Sequence, residues 1–264
     1  MQRFAVIGHP VSHSLSPRIH ALFAAETAIP LTYTAIDVEP QAFEARVRGF
    51  FADGGTGLNV TLPFKERAFA MADVATARAT HAGSANTLWM QEGRLHADNT
   101  DGIGLLRDFL RLNVSLHGRI LVLGAGGGAR GILPVLQNEH PEALFLANRT
   151  RARAEALVQD IGGITVMHPG ERPAVDVVIN ATSASLSFEM PDWFGFTGTP
   201  FCYDLAYSLE ADTPFTAAAR ARGLNAADGL GMLIEQAAEA FYLWHGVRPD
   251  TAIVHEALLK TRVR

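Results

Sequence analysis

Short hydrophobic runs alternate along this chain with segments in which hydrophobic residues recur every three or four positions. Short runs are typical of buried strands, and the spaced pattern is typical of amphipathic helices. The predicted strands are Phe4–Gly8, Leu31–Val38, Gly57–Leu62, Thr87–Met90, Arg94–Ala97, Arg119–Leu123, Ala143–Ala147, Asp176–Ile179 and Phe201–Leu205. The predicted helices begin at Ser16-Pro17, where Ser16 is expected as the N-cap, and near Phe64, and they cover Gln41–Phe51, Gly102–Leu112, Ala129–Glu139, Arg151–Ile161 and Leu230–His245. This alternation favours an α/β fold with mostly parallel sheets.

The order of these elements also predicts how the chain divides. The first strand series ends in a hairpin whose turn is Gln91-Glu92-Gly93, and a second series starts near Asp101. Two separate strand series are typical of two sheets, so we place a domain boundary near Asp101.

The composition excludes several classes of protein. The 264 residues include 22 Lys and Arg and 27 Asp and Glu, and this net charge of −5 gives no basic surface for nucleic acid or an anionic membrane. A single cysteine excludes an internal disulfide framework and a cysteine-rich zinc site, and no histidine pair has a spacing typical of a metal site. No hydrophobic run approaches the ~20 residues of a membrane span, and the N-terminus has the pattern of a strand rather than of a signal peptide. We therefore expect a soluble cytoplasmic protein without a metal.

A glycine-rich loop after the strand Arg119–Leu123 is the strongest single motif. Its pattern is G-x-G-x-x-A, with a helical pattern directly behind it. The first glycine permits a tight turn, the second admits a pyrophosphate close to the backbone, and the small last residue lets the helix pack on the strand. The helix N-terminus offers free N–H groups to a phosphate. The context favours a dinucleotide site over a plain turn, and its predicted residues are Gly124, Ala125, Gly126, Gly127, Gly128 and Ala129.

The end of the next strand indicates which dinucleotide binds. Sites for NAD usually carry Asp or Glu about 20 residues after the glycines. Here the strand ends in Asn148-Arg149-Thr150, with Arg153 close behind. A guanidinium forms charge-assisted hydrogen bonds with a 2′-phosphate, so these residues favour NADP. The alternative is that the two arginines are only the solvated start of a helix.

Polar side chains in the first half of the chain stand where predicted strands end. Ligands of open α/β sheets bind beyond the carboxyl ends of the strands. Each residue taken singly also has a structural explanation: Ser16 or Asp101 as a helix cap, Lys65 as a solvated lysine and Asn86 as a turn residue. Their joint position favours a site for a polyhydroxy acid, with a lysine and an aspartate to handle a proton. The set comprises Ser14, Ser16, Asn59, Thr61, Lys65, Asn86, Asp98, Asn99, Thr100 and Asp101.

The motifs closely resemble those of the shikimate dehydrogenase family, and they span nearly the whole chain in the family's order. In the first half they are residues 5–10 (AVIGHP), 13–17 (HSLSP), 59–65 (NVTLPFK), 85–87 (ANT) and 99–102 (NTDG). In the second half they are the glycine loop, Asn148-Arg149-Thr150 with Arg153, Asn180-Ala181-Thr182-Ser183, residues 228–233 (DGLGML) and 236–238 (QAA). Ala184-Ser185-Leu186 departs from the family's usual Ser-Gly type turn, and Ser208-Leu209 lacks a common proline.

The resemblance implies a role for each matching residue. It implies that Lys65 and Asp101 form the catalytic pair in a direct, metal-free hydride transfer between NADPH and 3-dehydroshikimate. It implies further substrate contacts, in which Ser14, Ser16 and Tyr207 hold the carboxylate and Thr61, Asn86 and Gln236 hold ring hydroxyls. The resemblance also implies that Thr182, Leu205 and Gly229 bind the cofactor, together with the glycine loop and with Asn148, Arg149, Thr150 and Arg153.

The resemblance also implies the domain organisation. Residues 1–101 and 229–264 would form the substrate domain, residues 102–228 the Rossmann-type NADP-binding domain, and the active site would lie in the cleft between them. Three alternatives stay open: a quinate/shikimate dehydrogenase that also uses NAD, a catalytically silent NADP-binding regulator, and a relative that acts on an amino-substituted ring. We expect a monomer or a homodimer.

Overall fold

The structure, a computed structural model of the 264-residue chain, describes residues 1–168, 170–182 and 195–261. Ser183 and residues 184–186 lie outside the described residues. The chain forms two compact units: the first comprises Met1–Gly104 and Leu233–Ala257, and the second comprises the described residues of Leu105–Met232 and those after Ala257. The predicted boundaries, after residue 101 and before residue 229, lie a few residues from these divisions. The assignment of a substrate domain and a cofactor domain to these exact boundaries stays a prediction.

The first unit contains a mixed six-stranded sheet with the order β2-β1-β3-β5-β6-β4. Its pairs are parallel except β3–β5 and β5–β6, which are antiparallel. The strands are β1 (Gln2–Gly8), β2 (Leu31–Asp37), β3 (Gly57–Val60), β4 (Val74–Ala75), β5 (Thr87–Gln91) and β6 (Arg94–Asp98). The helices within this unit are α1 (Ser16–Thr27), α2 (Phe43–Ala52), α3 (Lys65–Met71) and α4 (Ala77–Ala82). A short 3-10 helix at Pro40–Ala42 precedes α2.

Hydrophobic strand residues build the core of the first unit. Ile7 of β1 and Leu58 of β3 are fully buried, because each strand has a sheet neighbour on both sides and layers that cover its faces. Phe43 and Val47, one turn apart on α2, pack into the same cluster. The polar residues that follow these strands are therefore held by a rigid support.

The second unit contains a fully parallel six-stranded sheet. Its order, β12-β11-β10-β7-β8-β9, is the 3-2-1-4-5-6 order of a Rossmann fold when the strands are numbered from β7. The strands are β7 (Arg119–Leu123), β8 (Ala143–Ala147), β9 (Thr165–Val166), β10 (Val177–Asn180), β11 (Phe201–Asp204) and β12 (Ala226–Asp228). The helices within it are α6 (Gly127–Asn138), α7 (Arg151–Ile161) and α8 (Pro214–Ala221). Three further helices, α5 (Asp101–Arg111), α9 (Leu230–His245) and α10 (Thr251–Leu259), contain residues of both units.

Most elements agree with the sequence prediction within one or two residues, and one helix start is wrong. Ser16 is not the N-cap of α1, because Ile19 N already donates to Leu15 O at 3.0 Å and Leu15 occupies the cap position without a side-chain bond. The prediction also missed β4, α4, β9, α8, β12 and α10. Two-residue strands are too short to show a period, and α4 and α8 are rich in alanine, which marks no hydrophobic face.

The single cysteine lies in the core of the second unit. Cys202 of β11 is 1% exposed, and burial raises the pKa of its thiol to about 11. A thiol of this kind is unreactive near neutral pH. Among the described residues, no helix is long and apolar enough to cross a membrane, and no group of three His, Cys, Asp or Glu side chains is placed to hold a metal ion.

Candidate active site

A lysine and an aspartate form a shielded ion pair in the first unit. Lys65 Nζ donates to Asp101 Oδ2 at 2.6 Å, and the side chains are only 14% and 6% exposed. Lys65 is the first residue of α3 and Asp101 is the first residue of α5. The N-terminal end of a helix favours a negative charge, so α5 stabilises the carboxylate where it stands. The structure therefore brings the two predicted catalytic residues together.

An asparagine amide gathers further predicted residues around this pair. Asn86 Nδ2 lies 2.9 Å from Asp101 Oδ1, 2.9 Å from Thr100 Oγ1 and 3.2 Å from Gln236 Oε1. Gln236 comes from α9, far along the chain. Four of the predicted site residues, Lys65, Asp101, Asn86 and Gln236, are thus joined by successive hydrogen bonds.

The β5–β6 hairpin explains how these residues meet. Thr87 is opposite Asp98 in the antiparallel register, so the residue before β5 and the residues after β6 stand side by side. Asn86 N donates to Asp98 O at 3.0 Å. Asn99 then accepts from Asp101 N at 3.1 Å and donates through its amide to Ser84, which fixes the backbone at the start of α5.

The predicted carboxylate-binding residues lie near the end of β1. Ser16 N donates to Ser14 Oγ at 3.3 Å, so the two serines belong to one turn. Thr61 follows β3, and its N–H donates to Ile7 O of β1 at 2.9 Å. A Cβ atom on Gly8 would lie only 2.4 Å from Thr61 Cγ2, so the absence of a side chain at Gly8 permits this close approach.

A half-buried tyrosine and a fully buried histidine near these serines were missed by the sequence analysis. The Tyr33 hydroxyl donates to Asn59 Oδ1 at 2.7 Å and also forms a hydrogen bond with Ser16. Burial raises the pKa of Tyr33 well above its usual value, and the contact with Ser16 acts in the opposite direction. His20 stacks on Tyr33 at 4.2 Å, and its complete burial lowers its pKa to about 3. A neutral imidazole therefore packs against the tyrosine that forms a hydrogen bond with Ser16.

The glycine loop of the second unit has the geometry of a phosphate cradle. Gly124 has a φ of +102°, and a Cβ there would lie 3.0 Å from the Ala181 backbone. Gly126 is the N-cap of α6, and a Cβ added to it would meet no atom within 4 Å. The space at Gly126 is open at the N-terminal end of α6, where N–H groups favour an anion. Ala129 lies in the first turn of α6 and is fully buried, as the motif predicts. The other loop members lie between these residues, Ala125 before Gly126 and Gly127 and Gly128 in the first turn of α6.

The residues after β8 present cations beside this loop. Ala125 N donates to Asn148 Oδ1 at 3.2 Å, and Asn148 Nδ2 donates to Thr150 O at 2.7 Å. These bonds tie the end of β8 to the glycine loop. Arg149 and Arg153 are exposed, and so is the Thr150 side chain. The donors fit a ribose 2′-phosphate, and no carboxylate stands at the end of β8 to bind a free 2′-hydroxyl.

The remaining predicted cofactor residues lie at the same edge of the second sheet. β10, β11 and β12 run parallel to β7, so their carboxyl ends lie at the same edge of the sheet as the glycine loop that follows β7. Thr182 follows β10 and donates to Asn180 Oδ1 at 2.7 Å. Leu205 follows β11, and a Cβ on Gly229 would lie 2.3 Å from its carbonyl oxygen, so only glycine fits after β12. Tyr207 is half-buried two residues beyond Leu205, and its predicted contact with the substrate stays a prediction.

The second unit carries a phosphate cradle at the topological switch point of a Rossmann sheet, and the first carries a shielded lysine–aspartate pair. Together they define the class of dinucleotide-dependent dehydrogenases. Family models match residues 6–88 as the shikimate dehydrogenase substrate binding domain, residues 111–189 as shikimate / quinate 5-dehydrogenase and residues 229–259 as the shikimate 5'-dehydrogenase C-terminal domain.

Full-length relatives agree with these matches. The chain is 50% identical over 262 residues to the shikimate dehydrogenase (NADP(+)) of Legionella pneumophila strain Corby, covering 98% of both chains. It is 51% identical over 268 residues to that of Methylococcus capsulatus, covering 97% of this chain and 95% of the relative. The crystal structure of shikimate 5-dehydrogenase from Thermus thermophilus in complex with NADP(H) and shikimate is 35% identical, with a TM-score of 0.89 over 99% of this chain and all of that one. The chain belongs to the shikimate dehydrogenase family of oxidoreductases, which confirms the resemblance and the α/β fold with a Rossmann unit.

Proposed function

We propose that the chain catalyses the reversible, NADP(H)-dependent reduction of 3-dehydroshikimate to shikimate, a step in aromatic amino acid biosynthesis. The observation that carries the proposal is the Lys65–Asp101 pair, which is held by Asn86 next to Gln236. A carbonyl reduction is accelerated by a positioned proton donor, and the Lys65 ammonium of this ion pair is suited to that role. Family membership supplies the substrate class, because the relatives above carry that activity in their names.

NADP fits the second unit by its geometry. The open space at Gly126 and the N-terminus of α6 would hold the pyrophosphate, and Arg149, Thr150 and Arg153 would hold the 2′-phosphate. When bound, the cofactor supplies or accepts the hydride at the ring carbon that carries the reacting oxygen.

Lys65 and Asp101 handle the charge and the proton. During reduction, negative charge develops on the carbonyl oxygen, and the Lys65 ammonium stabilises it and then transfers a proton to it. During oxidation, neutral Lys65 accepts the proton of the same hydroxyl. The Asp101 carboxylate orients the amine through its 2.6 Å contact and accepts a hydrogen bond from a substrate hydroxyl.

The other polar residues orient the substrate. The Asn86 and Gln236 amides and the Thr61 hydroxyl are suited to ring hydroxyls, because each offers both a donor and an acceptor. Ser14 and Ser16 are suited to the carboxylate. Tyr207 completes the carboxylate site in this proposal. The family motif is what supports this role of Tyr207.

An oxidation assay tests the proposal. Purified protein is mixed with shikimate or quinate and with NADP or NAD, and formation of the reduced cofactor is followed by its absorbance. We expect rapid turnover with shikimate and NADP only. Comparable turnover with quinate or NAD would establish the broader quinate/shikimate activity, and binding of NADP without turnover in any arm would favour a silent regulator or an amino-substituted substrate.

The proposal also covers the oligomeric state of the protein and the compartment in which it acts. We propose a monomer or homodimer in the cytoplasm. Light scattering after size-exclusion chromatography distinguishes the two assemblies, and a trimer or larger species would contradict the proposal.

A further inference from the structure

A directed series of hydrogen bonds runs through the first unit and ends on the ion pair. The Tyr33 hydroxyl donates to Asn59 Oδ1 at 2.7 Å, and Asn59 Nδ2 donates to Thr87 Oγ1 at 3.1 Å. The Thr87 hydroxyl then donates to Asn86 Oδ1 at 3.0 Å, and Asn86 Nδ2 donates to Asp101 Oδ1 at 2.9 Å. Each member donates in the same direction, so each bond polarises the next.

Thr87 is the central member of this series and lies outside the catalytic and binding residues named above. It is the first residue of β5 and is fully buried. Its register partners are Asn59 on β3 and Asp98 on β6, so its backbone is held from both sides. The hydroxyl accepts one bond and donates one, which uses its single proton.

The orientation of the Asn86 amide depends on this contact, because its nitrogen has more acceptors nearby than protons to donate. Nδ2 has two protons and three acceptors within 3.2 Å, on Thr100, Asp101 and Gln236. Its orientation is therefore fixed at the oxygen end. Oδ1 accepts from Thr100 N at 2.9 Å, from Thr100 Oγ1 at 3.2 Å and from Thr87 Oγ1 at 3.0 Å.

The donors at Oδ1 come from two residues, Thr87 and Thr100, which differ in their attachment to the rest of the unit. Thr100 directly precedes Asp101 and moves with it, whereas Thr87 belongs to a strand at the interior of the sheet. Thr87 is thus the donor that ties the amide to the rigid sheet.

We propose that Thr87 is a positioning residue for the reaction: its hydroxyl orients the Asn86 amide and, through it, the Asp101 carboxylate that holds Lys65. The inference rests on the proposed function for its kinetic test. Loss of the hydroxyl leaves Asn59 Nδ2 and Asn86 Oδ1 each with one partner fewer in a buried place, where such a loss is costly.

Two substitutions separate the hydroxyl from the shape of the side chain. Thr87→Val keeps the shape and removes the hydroxyl, and Thr87→Ser keeps the hydroxyl and removes a methyl group. We expect Thr87→Val to lower kcat with shikimate about tenfold, and Thr87→Ser to stay within about twofold although it is less stable. The KM for NADP is expected to stay unchanged in both. A packing role would reverse the order of the two variants, and equal kcat values in both would also overturn the proposal.

A control variant shows whether general destabilisation lowers kcat. Thr216→Val removes a buried hydroxyl from α8 of the second unit. We expect this variant to lose thermal stability and keep kcat. If it loses kcat as Thr87→Val does, the effect of Thr87→Val is not positional and the proposal fails.

A nuclear magnetic resonance measurement tests the same inference without substrate. The chain contains two lysines, Lys65 and Lys260, so ¹⁵N-lysine labelling gives two ammonium groups, which Lys260→Arg assigns. We expect the Lys65 ammonium protons to exchange with water faster in Thr87→Val than in the wild type, with Lys260 unchanged. Equal exchange would overturn the positioning role. Because this measurement does not depend on turnover, it still decides the inference if the wild type fails to oxidise shikimate, which would refute the proposed function alone.

Discussion

The replacement Lys65→Met probes the centre of the proposed mechanism. Methionine keeps an unbranched stem of similar length and removes the charge and the transferable proton. The substrate is expected to bind almost as before, because the proposal assigns its other contacts to the Asn86 and Gln236 amides and to the serine turn. The expected result is therefore a large loss in kcat with a nearly unchanged KM for shikimate.

The structure sets the size of both effects. At 2.6 Å and an effective dielectric constant of about 20, the two charges attract each other by about 6 kcal/mol, and dehydration of the pair offsets part of this. Breaking the pair leaves the Asp101 carboxylate shielded and unpaired, which we expect to cost about 3 kcal/mol of unfolding free energy. The reacting oxygen loses a cationic donor and its proton source, which together correspond to about a 1,000-fold fall in kcat, or about 4 kcal/mol of activation free energy.

Steady-state oxidation of shikimate, combined with urea denaturation, measures the two effects. Lys260→Met is the matched control, since it removes the only other lysine. The double variant Lys65→Met/Asp101→Asn removes both charges and should recover most of the lost stability while kcat stays low. A single variant Lys65→Met that keeps kcat within tenfold of the wild type would refute the assignment of Lys65 as proton donor.

Three further predictions concern the cofactor site and the buried histidine. Arg149→Ala should weaken NADP binding about 30-fold and leave NAD binding almost unchanged, whereas Arg46→Ala should change neither; calorimetric titration decides, and equal weakening of both dinucleotides would contradict a 2′-phosphate contact. Gly126→Ala should weaken NADP binding at least tenfold and leave the free protein folded, because the added methyl group meets open space at a φ of −104° that alanine adopts freely and the poorer N-cap costs only about 1 kcal/mol; an unchanged Kd would contradict the pyrophosphate site. His20 has a pKa of about 3 in the folded chain and 6.5 when unfolded, so the unfolded state takes up the proton first and stability is lost as the pH falls through that window, by about 3 kcal/mol between pH 7 and pH 4. Urea denaturation of His20→Phe at both pH values should show a smaller loss, and an equal loss would refute the argument.

The hairpin and the glycine loop could be predicted from the sequence because both depend on local signals. A turn with Gly93 between two alternating strands predicts β5 and β6, and their register places Asn86 beside Asp101. Likewise, a strand, G-x-G-x-x-A and a helix pattern predict the cradle that begins at Gly124. The sequence alone therefore predicts which residues of these two segments carry the chemistry.

The support beneath the site could not be predicted, because it depends on contacts between distant segments. Tyr33 lies on the edge strand β2, where an aromatic residue is ordinary, and nothing local indicates that its hydroxyl reaches Asn59. His20 lies on α1, where its spacing from Ile19 and Phe23 is that of any buried helix face. Serine is a preferred N-cap residue, but Leu15 holds the N-cap position and Ser16 is the first residue of α1. The Ser16 side chain is therefore left to form a hydrogen bond with Tyr33.

The burial of Cys202 makes this chain suitable for distance measurements by site-directed labelling. Its thiol is shielded and has a raised pKa, so maleimide dyes and nitroxide spin labels should leave the native protein unmodified. One cysteine introduced at an exposed position of each unit outside the proposed site, such as Arg46 and Gln159, would then be labelled without removing the native residue. Energy transfer between two such labels would report the separation of the two units in solution, with and without NADP and shikimate.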